Sequence, residues 1–456
     1  MSAEDTIFAP ASGAGRAAIA VVRLSGPATR GVLEAMAGGL PSPRRMALRA
    51  LRDPASGETL DRALVLWMPG PKSFTGEDQA ELHIHGGLAV RAVVLRALSG
   101  IPGLRAAEPG EFTRRAFLNG RMDLSAVEGL ADLIDAETEA QRRQALRQLE
   151  GRLGGLVEGW RERLIECLAL LEAALDFSDE VDVAADAEGR AGAIAQALAG
   201  EIAGHLAEAG RGERLREGFT VVIAGPPNAG KSMLLNALAR RDVAIVSEIP
   251  GTTRDAIEVR CDLNGLPVTF VDTAGLRETG DPVEMQGVSR ARAHVERADL
   301  VLWLAASDSG AGNGSAYGPG DGLDTGPKTV PETAPTTAPA VRVATKSDLA
   351  PAPSDVDLAV SAKTGEGLLS LLDRIAALLE ASLGAGDAVI TRERHRQAFE
   401  IARESLTRAG AALTQGHAEL AAEDVRLALR ALGRITGRVD VEEILDRLFA
   451  AFCIGK

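Results

Sequence analysis

The sequence predicts a multidomain protein, part α/β and part all-α, on three observations. First, an apolar strand at residues 219–224 runs into Gly225-Pro226-Pro227-Asn228-Ala229-Gly230-Lys231-Ser232, and a helix at 233–238 leaves it. That loop has the G-x-x-x-x-G-K-[ST] spacing of a phosphate-binding P-loop. Strands and helices alternate around it over residues 216–382, which predicts a doubly wound, mainly parallel sheet. Second, long Ala/Leu/Glu/Arg stretches with helical periodicity occupy residues 121–215 and return at 383–456. They flank the P-loop region, so it reads as a domain inserted into one discontinuous helical domain. Third, residues 1–120 mix short apolar strands with Gly/Pro turns, which predicts a compact N-terminal α+β domain.

The elements follow in order. Residues 19–22 and 64–67 read as strands and 89–98 as a helix. His83 and His85 alternate along a further strand; without a third ligand they read as hydrogen-bonding or structural groups. Residues 306–340 are rich in Gly, Pro, Thr and Ala and read as a flexible loop within the inserted domain, where a crossover helix would otherwise stand. Asp440 and Glu443 form a capping pair for a last helix carrying Ile444, Leu445, Leu448 and Phe449 on one face.

Composition narrows the function. With 46% hydrophobic and 25% charged residues, the chain has ample material for globular cores. Its net charge of −14 gives no overall attraction to nucleic acid, so any RNA contact must use local basic patches. Aromatics at 3% argue against a surface built on base stacking. The three cysteines, Cys167, Cys261 and Cys453, are far apart, with neither a disulfide framework nor zinc spacing. That fits a reducing compartment, and with no apolar run long enough to span a bilayer the cytoplasm is expected.

The P-loop points its backbone N–H groups at phosphate oxygens, with Lys231 reaching the outer phosphates and the Ser232 hydroxyl available to Mg²⁺. Three further motifs follow in GTPase order. Asp272-Thr273-Ala274-Gly275 ends a strand at 266–271, where a carboxylate can hold Mg²⁺ through water and the Gly275 amide can sense a γ-phosphate. Thr345-Lys346-Ser347-Asp348 follows a strand at 341–344; Asp348 can accept from the N1–H and N2–H₂ edge of guanine, which adenine lacks. Ser361-Ala362-Lys363 lies where a second base-contacting loop belongs. The usual pattern has Asn where Thr345 stands. A threonine loses the amide's contact to the base, a cost of about 1 kcal/mol.

Catalysis needs two more groups. A water-orienting Gln directly after the D-x-x-G glycine is replaced here by Leu276, which has no donor or acceptor. Glu284 downstream is either the group that positions water or a solvated surface acid. An arginine finger supplies about 4–7 kcal/mol in such sites. In its place, Asn228 could help hold a monovalent cation beside the phosphates, or simply brace the loop. The segment Ile245-Val246-Ser247-Glu248-Ile249-Pro250-Gly251-Thr252-Thr253 could add carbonyl ligands, with the Thr253 hydroxyl on Mg²⁺.

End to end, the chain resembles the MnmE (TrmE) family of tRNA modification GTPases. The resemblance rests on Asp5-Thr6-Ile7, Ser73-Phe74-Thr75-Gly76-Glu77-Asp78, His83-Ile84-His85-Gly86-Gly87, Pro109-Gly110-Glu111-Phe112-Thr113 and Arg115-Ala116-Phe117-Leu118-Asn119-Gly120 in the N-terminal part. The GTPase motifs and the terminal Phe452-Cys453-Ile454-Gly455-Lys456 complete it. It implies a homodimer formed through an N-terminal domain that binds 5-formyl-tetrahydrofolate or a related folate. It implies an FAD-dependent MnmG (GidA) partner in a heterotetramer, and an aminomethyl-type modification at C5 of the tRNA wobble uridine. It also implies potassium-dependent GTP hydrolysis. By position, Asn228, Ser247, Ile249 and Thr252 match the potassium site, Ser232 and Thr253 the magnesium ligands, and Glu284 the general base. Arg23, Glu81, Arg121 and Lys456 match the folate contacts, and Cys453 is a participant in modification or else a packed thiol. The competing readings are a regulatory GTPase switch in ribosome assembly or partner binding, and a scaffold with vestigial nucleotide binding.

Overall fold

The computed structural model describes residues 5–176, 181–226, 228–241, 243–245, 258–272, 298–307, 338–383, 388–439, 442–450 and 452–455. Contacts divide the chain into two compact units. One comprises Met1–Ala131, Gln148–Gln196 and Glu404–Lys456; the other comprises Asp132–Arg147 and Ala197–Arg403.

The first unit opens with β1 (Thr6–Pro10), β2 (Ile19–Ser25), α1 (Thr29–Ala37), β3 (Ala47–Arg52), β4 (Thr59–Met68), β5 (Gln79–His85), α2 (Leu88–Ser99) and β6 (Leu104–Ala106). The six strands form one sheet in the order β3-β4-β5-β2-β1-β6, antiparallel except for the β1–β6 pair. Burial alternates along β5: Ala80, Leu82 and Ile84 are buried, while Glu81 and His83 are half-buried and His85 is exposed. That is the pattern of a sheet with one face in the core and one toward solvent. Leu33 and Met36 of α1 and Val94 and Leu98 of α2 close the inner face.

Helices follow, and they are shared between the units, since residues 132–147 and 197–217 belong to the second. After α3 (Glu111–Leu118), α4 (Leu124–Asp135) and α5 (Glu139–Leu149) comes α6 (Arg152–Asp176). It buries Leu153, Val157, Trp160, Leu164, Cys167, Leu171 and Ala174. Their alternating spacing of four and three makes a single stripe. The chain continues through α7 (Val181–Ala207) and α8 (Ala209–Glu217). The α6 stripe packs on α12 (Ala418–Thr436), whose buried face is largely alanine and so admits close approach. In α13 (Glu442–Ala450), Leu445 and Phe449 are buried with Leu124, Val127 and Phe452, and Ile444 and Leu448 pack alongside. The one-sided apolar face read from the sequence is therefore present. Asp440 and the Glu443 side chain lie outside the described residues.

The second unit holds β7 (Phe219–Ala224), α9 (Lys231–Ala239), β8 (Glu258–Leu263), β9 (Leu266–Asp272), β10 (Leu300–Ala306), β11 (Ala340–Thr345), β12 (Leu358–Ala359) and α10 (Leu368–Leu383). Helix α11 (Glu393–Thr414) spans the boundary between the units in sequence. The sheet order is β12-β11-β10-β7-β9-β8, parallel except where β8 pairs antiparallel with β9. The doubly wound, mainly parallel sheet predicted by the strand–helix alternation is thus observed. Its core runs continuously through Val221, Ile223, Leu234, Phe270, Leu302, Val343 and Leu371. Both ends of the expected 306–340 loop are corrected: Ala306 ends β10 and Ala340 begins β11, because each finds a ladder partner. Residues 308–337 lie outside the described residues. Among the described residues, no helix is long and apolar enough to cross a membrane.

Candidate functional site

The central strand of the second sheet sets the site. β7 has β9 on one side and β10 on the other, the point where strand order reverses and where open parallel sheets bind ligands beyond their carboxyl ends. Register brings the motifs to that edge: Ile223 pairs with Asp272, and Ala306 pairs with Thr345. Gly225 leaves β7 at φ 146°, and a Cβ there would meet the Leu304 carbonyl oxygen at 2.5 Å. Only glycine lets the chain turn so tightly against β10.

Five side-chain hydrogen bonds hold these motifs. Lys231, the first residue of α9, donates from Nζ to the carbonyls of Gly225 at 2.9 Å and Pro226 at 3.0 Å, closing the loop on itself. The Ser232 hydroxyl donates to Asp272 Oδ2 at 2.7 Å. The Thr345 hydroxyl donates to the Ala229 carbonyl at 2.6 Å. The Ser361 hydroxyl donates to Asp348 Oδ1 at 2.7 Å, while its own loop is closed by the Gly365 amide on the Ser361 carbonyl. Ala362 and Lys363 continue in that turn. Asn228 and Lys346 both hold left-handed backbone, at φ 63° and 59°, which is uncommon outside glycine and frequent at functional loops.

The loop, the α9 N-terminus and a buried lysine form a cradle suited to anionic phosphates. The hydroxyl of Ser232 beside the carboxylate of Asp272 offers hard oxygen donors, a set that fits Mg²⁺. Ser247, Glu248, Ile249, Pro250, Gly251, Thr252, Thr253, Thr273, Ala274, Gly275 and Glu284, all assigned from the sequence, lie outside the described residues, as does Lys456.

Two family models match in tandem. One, for the GTP-binding protein TrmE N-terminus, covers residues 6–121, and one for the MnmE helical domain covers residues 124–453. The tRNA modification GTPase MnmE of Methylobacterium sp. (strain 4-46) is 62% identical over 99% of this chain and 100% of its own. Those of Methylorubrum populi and Parvibaculum lavamentivorans are 60% and 54% identical, each over 99% of this chain and over 98% and 100% of their own. The chain belongs to the MnmE family of tRNA modification GTPases. Among solved structures, Aquifex aeolicus Era bound to GDP.AlF4- aligns at 24% identity and a TM-score of 0.24 over 41% of this chain and 66% of that one.

The first unit of this MnmE-family chain carries a second constellation. Arg23 on β2 and Glu81 on β5 are register partners, and the Arg23 guanidinium donates to Glu81 Oε1 from Nε at 3.2 Å and Nη2 at 2.9 Å. His83, two residues on and so on the same face, bonds the other carboxylate oxygen, Oε2, at 3.2 Å. Burial by itself would raise Glu81, but His83 and Arg23 outweigh it and hold the carboxyl below its usual range. The rings of Phe74 and Phe112 each lie 5.8 Å from the guanidinium carbon. Arg121 is exposed, and its stem lies against Gly76, in the same loop as Phe74. Gly455 packs so tightly against Pro10 at the end of β1 that a Cβ there would collide with its carbonyl. The C-terminal motif is thereby bound to the N-terminal sheet. Cys453 is a free, exposed thiol; Cys167 and Cys261 are free and buried, and burial pushes them up to about 11 and about 12.

Sequence reasoning missed three features. His85 pairs with Asp61, as His83 does with Glu81, but neither partner is visible without the register. Glu111, quoted only as part of a family motif, is a buried hub. It accepts from Arg105 at 2.8 and 2.6 Å and from Arg115 at 3.1 Å, and Arg115 in turn reaches Glu77. The tie from Thr345 to Ala229 was the third; the sequence marked Thr345 only as a lost base contact.

Proposed function

We propose that this chain is a potassium-dependent GTPase that modifies tRNA. It works with an FAD-dependent MnmG (GidA)-type partner and a tetrahydrofolate one-carbon donor to add a carboxymethylaminomethyl-type group to C5 of the wobble uridine. The observation that carries the GTPase half is the hydrogen-bonded convergence of P-loop, Asp272, Thr345 and the Asp348–Ser361 pair at one sheet edge. In this reading the P-loop amides and Lys231 bind the triphosphate, and Ser232 and Thr253, with Asp272 acting through water, would hold Mg²⁺, which would supply positive charge to the phosphates. Asp348, pinned by Ser361, accepts from guanine. Asn228, Ser247, Ile249 and Thr252 hold K⁺, whose charge stands in for an arginine finger. Glu284 orients the attacking water.

The folate half is supported by Arg23, Glu81, Phe74 and the approach of the C-terminal motif: a guanidinium, a carboxylate and an aromatic face suit a pterin's donor–acceptor edge. Arg121 and Lys456 complete this proposed site. Across the same face, Leu48 pairs with Leu64 and Leu64 with His83; both leucines are exposed, and they support a second copy covering the sheet. The proposed domains are 1–120 for folate and dimerisation, 121–215 with 383–456 for the helical part, and 216–382 for GTP. A cytoplasmic location accords with the three free thiols. Mass analysis of wobble nucleosides from cells lacking the protein tests the modification, which should disappear. Exchange of sodium for potassium should raise GTP turnover strongly, and Glu284→Ala should abolish it with GTP binding kept. Equal rates in both salts would remove the cation from the mechanism.

A further inference from the structure

Thr345 stands where the guanine-recognition motif ordinarily has an amide. A hydroxyl has one proton to give, whereas an amide NH₂ has two. Here that proton goes to the Ala229 carbonyl at 2.6 Å; the next oxygen, that of Ala305, is farther at 3.4 Å. Thr345 is 3% exposed and Ala229 1%, so the bond is shielded from water and the carbonyl has no easy substitute. A Cβ built on Gly230 would meet Thr345 Oγ1 at 3.5 Å, so the side chain also packs on the P-loop backbone. Guanine's O6 and N7 are both acceptors. A threonine whose proton is already donated offers neither of them anything.

We infer that Thr345 is a positioning residue that tethers the P-loop to the end of β11, and that it leaves N7 of guanine unread. This rests on the GTP-site reading above. Base selection then falls to Asp348, held by Ser361, whose partners are the N1–H and N2–H₂ edge and which is indifferent to N7.

Calorimetric titration of the full chain with GDP and with 7-deaza-GDP, in potassium and magnesium, tests it. The wild type should bind the two with equal affinity, within about twofold, since no hydrogen bond to N7 is at stake. Thr345→Val should weaken both nucleotides equally, by about fivefold for one lost net hydrogen bond, and Thr345→Ser should restore both. Thr345→Asn should acquire a preference for GDP over the 7-deaza analogue. A wild type that binds GDP but 7-deaza-GDP about fivefold more weakly overturns this inference alone. So does Thr345→Val with unchanged affinity, or Thr345→Ser no better than valine. A wild type that binds neither nucleotide overturns the GTP-site reading and this inference with it.

Discussion

The two six-stranded sheets place their chemistry differently. In the parallel sheet, β7 and β9 are buried at nearly every position, so polar groups have nowhere to go but the strand ends. Gly225, Asp272 and Thr345 all stand there. In the antiparallel sheet one face is open, and Arg23, Glu81 and His83 sit in mid-strand on that face. An end-of-strand site is built from contiguous loops. A face-of-sheet site is built from single residues on different strands, brought together only by register.

This contrast predicts that the two regions fail separately. The largest effect should come from Glu111→Ala, which strips the Arg105 and Arg115 guanidiniums of a buried carboxylate; such a loss costs about 3–5 kcal/mol. Calorimetry should show the first unit melting earlier while GTP hydrolysis persists. A parallel loss of hydrolysis would break the comparison. Next, Lys231→Ala should reduce GTP turnover by about two to three orders of magnitude, the usual loss of a charge-stabilising donor, with the first unit's melting unchanged. Arg23→Ala should then weaken tetrahydrofolate binding by about 1.5–3 kcal/mol, the range for hydrogen bonds to charged groups, without altering GTP turnover. A titration of folate against both variants sharpens the separation.

The smallest effect is one of pH, and its sign differs between the sheets. Burial would raise Glu111, but Arg105, the Glu108 amide and Arg115 together hold it below its ordinary 4.5; Glu81 is likewise depressed. A carboxyl lowered by folding stabilises the native state fully above 4.5, and that stabilisation is lost as pH falls below it through the folded values. Asp299, just before β10 of the second sheet, behaves oppositely. Burial raises it above 3.8 despite the Thr220 amide, so acidification protonates it first in the folded state and favours folding there. Unfolding monitored from neutral to acid pH should therefore show the wild type losing more stability than a Glu111→Gln variant, while Asp299→Asn should flatten the opposing rise.

The same contrast explains what was legible. The P-loop, Asp272 and Asp348 could be read because each motif is a short string whose backbone geometry is local. The mainly parallel sheet followed from strand–helix alternation, and the apolar face of α13 from its spacing. His83 could not be assigned a partner, because its distance from Glu81 depends on a strand's pleat and Glu81's on a cross-strand register with Arg23. Glu111 was visible only as part of a motif; the fold sets it between two arginines separated from it by four and six residues. The ends of the 306–340 stretch were misread as loop because ladder partners, not composition, made Ala306 and Ala340 strand.

By itself, then, the sequence determined the phosphate-binding loop, the order of the GTPase motifs and the fold class, since these depend on interactions between near neighbours in the chain. Only the tertiary structure decided what Thr345 bonds, what holds Asp348, and which groups meet on the open sheet face. Those depend on a hydrogen bond across 116 residues for Thr345, on one between two loops for Asp348, and on strand register for the sheet face, and none is encoded in spacing.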